Sequence, residues 1–138
     1  MAFSSTRTSA CRLPPSISMT RDHRKLVAFQ NADALVVDLY KLTTRSPDDE
    51  RFGLRVQLRR AAVSVATNIV EGAARHPTRE YARFLIIALA SARECSYLLD
   101  LSARLGFLPT PAVAALVDRY GHVQGALAKI AANMSRTP

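Results

Sequence analysis

The stepping of apolar residues constrains this chain most. Ala28, Ala32, Leu35, Leu39 and Leu42 advance by alternating fours and threes, the spacing that lines one face of an α-helix. Leu54, Leu58, Ala62, Val65 and Ile69 follow nearly the same rule. Val113, Val117, Tyr120, Gln124, Leu127, Ala131 and Met134 carry it through three heptads, the pattern of a bundle seam. Between these stripes lies "FLIIALASA", residues 84–92, which is apolar nearly all round. A helix in a lone small bundle keeps one wet face, so this stretch predicts cover from a second subunit. Its expected contact residues are Ile86, Ile87 and Leu89.

Punctuation divides the chain into four helices, over about 22–44, 47–73, 77–105 and 111–134. In "RSPDDE" Ser46 suits a cap, Pro47 a first helical position, and Asp48, Asp49 and Glu50 the positive end of a helix dipole. Gly72 and Gly106 stand where a left-handed terminal residue would end a helix. Pro77 falls early in the third helix, and Thr110 and Pro111 offer a cap and first position for the fourth. Gly121 and Gly125 would let another backbone approach closely. No strand alternation or internal repeat competes. The expected fold is all-α, an antiparallel up-down four-helix bundle with short connections.

The chain has 138 residues, enough for one domain with a real core. Apolar residues make up 49% of it, which excludes a disordered class. It carries a net charge of +8, and 16 of its 19 basic residues are Arg. Arginine binds phosphate and carboxylate in a bidentate way, so the bias suits interface work, although a GC-rich genome yields the same bias. Two cysteines, Cys11 and Cys95, make no disulfide framework or metal motif and fit a reducing cytoplasm. No uncharged run approaches the ~20 residues of a membrane span. Residues 1–21 are rich in Ser, Thr and Arg without acids, and residues 135–138 form a second short tail. The first segment is expected to be a disordered tail, either a transit-like peptide or an extension upstream of a start at Met19.

Catalysis finds no constellation. His23, His76 and His122 lie in different segments without ligand spacing, so no metal or other cofactor is expected. Glu80 and Glu94 share a helix but stand ~21 Å apart along it, too far for paired acid–base work. Ser64 lacks a nearby His and a nucleophile elbow, and no glycine-rich phosphate loop exists. Arginine is better organised. Arg51, Arg55 and Arg59 step by four, as do Arg75, Arg79 and Arg83, placing cations roughly 6 Å apart along a helix. Such rows fit either nucleic-acid phosphates or a solvated face with ion pairs to Asp48, Asp49 or Glu80. A polar line of Ser64, Asn68 and Glu71 also runs beside the apolar stripe, with Arg60 next to it. We expect this line to be a structural layer fastening the corner between the second and third helices, with Arg60 structural too.

The stretch "LRRAAVSVATNIVEGAARHPTREYARFLIIALASARE" resembles the signature of the four-helix bundle proteins encoded in intervening sequences of bacterial 23S rRNA genes. The matching positions are Arg59, Arg60, Ala61, Ser64, Asn68, Ile69, Glu71 and Gly72, then Glu80, Arg83, Phe84, Ser91 and Glu94. Tyr81 replaces the usual Phe, and Phe29 stands where Trp is common in the opening helix. The likeness spans about residues 20–134 and leaves the first 18 unmatched. It implies a homopentameric ring. A relative, the accessory protein of diversity-generating retroelements, implies RNA or DNA and a reverse transcriptase as partners. The expected function is a basic cytoplasmic homo-oligomeric scaffold on nucleic-acid backbones, without catalysis. The alternative is a scaffold that recruits a partner enzyme and touches no nucleic acid.

Overall fold

Four helices form, and each buries the stripe its sequence marks. The computed structural model describes residues 21–47 and 53–136, so Arg51, Asp48, Asp49, Glu50, Met19 and Cys11 lie outside the described residues. The helices are α1 (Val27–Thr43), α2 (Leu54–Ala73), α3 (Thr78–Arg104) and α4 (Thr110–Ser135), preceded by a 3₁₀ turn at His23–Lys25. All five residues of the first stripe are buried, as are Leu58, Ala62, Val65 and Ile69 on α2. Leu85, Ala88, Ala92, Cys95 and Leu99 do the same on α3. Val113, Tyr120, Leu127 and Ala131 complete the core from α4, with Val117 and Met134 at its edge.

Cross-links fix the topology. Gln57, Ser64 and Gly72 of α2 meet Glu94, Ser91 and Phe84 of α3 in reverse order, so the pair is antiparallel. Thr43 lies opposite Arg59, and Arg21 opposite Ala73, which makes α1 antiparallel to α2. The Nε2 of Gln124 on α4 donates to Ser96 Oγ on α3 at 2.9 Å, and Arg119 pairs with Asp38 of α1 at 2.8 Å. Each helix thus packs on its two neighbours, and the diagonals α1–α3 and α2–α4 barely meet.

Two terminal signals, Ser46 and Gly72, act differently from expectation. Ser46 does not open a helix at Pro47; α2 begins at Leu54 behind Gly53. Its hydroxyl instead donates to the Thr43 carbonyl at 2.6 Å and accepts from Arg55 Nε at 2.8 Å, satisfying carbonyls that the end of α1 leaves open. Gly72 lies inside α2, and Gly106 alone among the described glycines has a positive φ, 78°. Gly72 serves close approach: a Cβ there would sit 2.8 Å from Phe84 Cβ and 3.2 Å from Tyr81. Gly121 and Gly125 face open space, so the close approach expected at them does not occur within this chain.

Arg21 belongs to the fold rather than to a tail. Its backbone N–H donates to Ala73 O at 3.2 Å and its guanidinium to Arg75 O at 2.9 Å. The open carbonyls at the end of α2 draw it in.

One polar pair sits in the core. The Tyr120 hydroxyl is fully buried, and the Cys95 thiol beside it interacts without completing a well-aligned hydrogen bond. Burial pushes the Cys95 thiol up to about 12, so it stays protonated and inert. Tyr120→Phe removes a buried hydroxyl with a poor partner, and stability should hold or rise by up to ~1 kcal/mol. Urea unfolding of the two proteins reads this directly. A loss beyond ~1.5 kcal/mol would show that the hydroxyl is well satisfied.

Candidate nucleic-acid interface

The two arginine rows part company. On α2, Arg55 donates to Ser46 Oγ at 2.8 Å and to the Ser46 carbonyl at 2.6 Å. Arg59 donates to Thr43 Oγ1 at 2.8 Å and Tyr40 O at 3.1 Å, and its guanidinium stacks 4.3 Å from the Tyr40 ring. Both arginines are half-buried. Their donors close the C-terminal end of α1, where cations and N–H groups are favoured. They are structural clamps rather than the exposed phosphate contacts expected of them.

The second row is exposed. Arg75, Arg79 and Arg83 flank the α2–α3 corner with open side chains. Arg75 pairs with Glu71 at 3.5 Å and lies 5.0 Å from the Phe84 ring. Arg83 pairs with Glu80 at 3.2 Å and lies 5.2 Å from the same ring. Arg79 has no hydrogen bond or ion pair among the described residues. The hydrogen bond from Arg83 holds the Glu80 carboxyl below its usual range, with the charges of Arg83, Arg75 and Arg79 adding. The corner is therefore net cationic at neutral pH, and its ion pairs are of the exposed, weak kind.

Sequence reasoning by steps of four missed the rest of this face. At 100° per residue, Arg79, Arg83, Arg93 and Arg104 fall within roughly 40° of one line along α3. All four are exposed. Arg93, like Arg79, has no partner among the described residues, while Arg104 pairs with Asp100 at 2.8 Å. Steps of about three turns each carry the row from Arg83 to Arg93 and on to Arg104, intervals longer than the one-turn repeat that marks out a row in the sequence. Ile86, Ala90 and Tyr97 lie between the arginines on the same face.

The residues expected to cover a subunit contact do not share one surface. Ile86 is exposed (52%) within the arginine face, and Ile87 (38%) lies one turn from Ser91 on the side toward α2. Leu89 packs against the bundle's own core. Burial against α2 and α4 accounts for Leu85, Ala88, Leu89 and Ala92 within "FLIIALASA", and Ile86 and Ile87 stay exposed. A groove of about 530 Å³ lies over α1 and α2, lined by Tyr40, Val56, Val63 and Thr67 together with Arg59, Arg60 and Ser64.

The polar line divides as well. Asn68 Nδ2 donates to Ser64 Oγ at 3.0 Å and to the Ser64 carbonyl at 2.8 Å, and Ser64 Oγ meets Ser91 Oγ at 2.8 Å. This is the expected structural layer between α2 and α3. Glu71 is not part of it, for it is exposed and paired with Arg75. Arg60 is exposed with no partner among the described residues, and with Glu94 it lines an open α2–α3 groove of about 470 Å³. Neither fastens the corner within this chain, because α2 turns both outward. Glu71→Ala should therefore cost less than ~1 kcal/mol, and Ser64→Ala should cost more. Thermal melts of both variants decide it, and an equal or larger loss for Glu71→Ala would contradict the geometry.

Among the described residues, no group of three or more His, Cys, Asp or Glu is placed to hold a metal ion. No described helix is long and apolar enough to cross a membrane.

Known proteins fit this picture. A crystal structure from Bacteroides thetaiotaomicron, of a protein of unknown function from the S23 ribosomal protein family, superposes with a TM-score of 0.71. It covers 77% of this chain and 96% of its own at 20% identity, which shows a shared fold. No curated protein is significantly similar in sequence. The family model for the 23S rRNA-intervening sequence protein matches residues 24–129, from the start of the bundle almost to the end of α4, and the chain belongs to that family.

Proposed function

We propose that this protein is a non-catalytic, cytoplasmic, homo-oligomeric scaffold that binds nucleic-acid backbones without reading sequence. The carrying observation is the exposed face of α3, where Arg79 and Arg93 stand free of partners among the described residues and Arg83 and Arg104 hold only exposed ion pairs. Guanidinium groups on a rigid helix meet phosphates well and bases poorly. The net charge of +8 supports the same reading.

Assembly is the second half of the proposal. The family resemblance implies a pentameric ring, and the apolar groove of Tyr40, Val56 and Val63 suits a subunit contact better than the arginine face does. A ring multiplies weak contacts, since each further engagement becomes intramolecular. Light scattering should give an oligomer at micromolar concentration, and Val63→Glu should shift it toward monomer. A wild-type monomer would remove this half.

The same groove favours a second reading, a scaffold that recruits a partner enzyme such as a reverse transcriptase. Binding measured across several salt concentrations separates the two. For the first reading, log affinity falls steeply and linearly with log salt for RNA or DNA of any sequence. No detectable binding at low salt would leave the recruiting scaffold.

A further inference from the structure

We infer that the arginine face of α3 takes the backbone of a duplex, DNA or RNA, in preference to a single strand. The inference rests on the nucleic-acid reading above and names the form of its ligand.

Length and rigidity come first. Arg79 and Arg104 lie about 37 Å apart along α3 at ~1.5 Å per residue. That is close to one duplex turn of ~34 Å. A duplex carries a charge every ~1.7 Å of its axis, about twice the density of one strand. It also stays straight over this distance, because its persistence length is ~150 base pairs. A row of cations on one rigid helix can therefore reach phosphates where successive backbone crossings face it, without ordering its ligand.

A single strand has to be held extended, and its ordering is unfavourable. Proteins that bind single strands offset this by stacking bases on aromatic rings. Two of the three rings of α3, Tyr81 and Phe84, are already taken. Tyr81 is 5% exposed, with the Arg21 guanidinium 4.3 Å over its ring. Phe84 carries Arg75 at 5.0 Å and Arg83 at 5.2 Å. A guanidinium held against a ring loses freedom and keeps N–H donors for phosphate. Tyr97, 58% exposed, is the one open ring on the face, and a single platform cannot track a strand.

The test uses the full chain and fluorescence anisotropy. The probes are a mixed-sequence duplex of about 24 base pairs and each of its strands, chosen not to fold on itself. The duplex should bind at least tenfold tighter than either strand, with a log–log salt slope of about 3 or steeper in magnitude. Arg93→Ala should reduce that slope by about one for each protomer engaged, and Tyr97→Ala should leave both affinities unchanged. Single strands binding as tightly as the duplex would overturn the inference, as would a fivefold or greater loss with Tyr97→Ala. Absence of binding to every probe is a different result, since it removes the nucleic-acid reading itself and this inference with it.

Discussion

Gly72→Ala should destabilise the protein by about 1–3 kcal/mol, although alanine is the better helix former. Helix propensity alone favours Ala over Gly by about 1 kcal/mol inside a helix. Here the added methyl would sit 2.8 Å from Phe84 Cβ and 3.2 Å from the Tyr81 ring. Cβ atoms are anchored to backbone, so relief requires α2 and α3 to move apart, and overpacking of this kind costs about 1–3 kcal/mol. The same substitution at Gly121 or Gly125 meets nothing within 4 Å. There the propensity gain stands alone, and each variant should gain up to ~1 kcal/mol in the protomer. Urea unfolding of the three variants gives the contrast. A stabilised Gly72→Ala would show that the corner is loosely packed and that the close approach is not needed.

Much of this fold was legible because each helix buries a stripe set by its own sequence. The five-residue stripe of α1 and the heptads of α4 needed no knowledge of their partners. Helix ends were less legible, for a physical reason. Ser46 reads equally well as a residue that opens a helix or one that closes it, and only the guanidinium of Arg55 decides between them. Gly72 reads as a terminus until Tyr81 and Phe84 are brought against it. Leu26 breaks the first helix from the 3₁₀ turn by adopting extended backbone, φ −83° and ψ 121°, with no local residue to signal the break. At the candidate site, steps of four found Arg79 and Arg83 but also Arg55 and Arg59. Spacing shows which residues share a helix face; it does not show whether that face meets solvent or the end of another helix. Arg93 and Arg104 share the outward face at intervals of about three turns, too long for a one-turn repeat to join them to Arg79 and Arg83.

The two arginine rows should separate in opposite directions. Arg59→Ala removes the donor to the Thr43 hydroxyl oxygen, one of two side-chain donors to the Tyr40 carbonyl, and the stack on the Tyr40 ring. Hydrogen bonds from a charged donor contribute about 1.5–3 kcal/mol, and the variant should lose stability in that range. Its affinity for nucleic acid, measured well below its melting temperature, should stay within about twofold of wild type, because its guanidinium is spent inside the fold. Replacing Arg79, Arg83 and Arg93 together by Ala breaks one exposed ion pair, and exposed pairs are worth at most ~1 kcal/mol. That variant should melt close to wild type. Its salt slope should fall by about three for each protomer that engages the ligand, one for each guanidinium taken away from a phosphate, and by the same amount for every sequence tested. Multivalency sharpens the result, since in an oligomer the three guanidinium groups are missing from every protomer at once. Binding that survives the triple variant but fails in Arg59→Ala would place the interface on α2 and reverse the assignment of both rows.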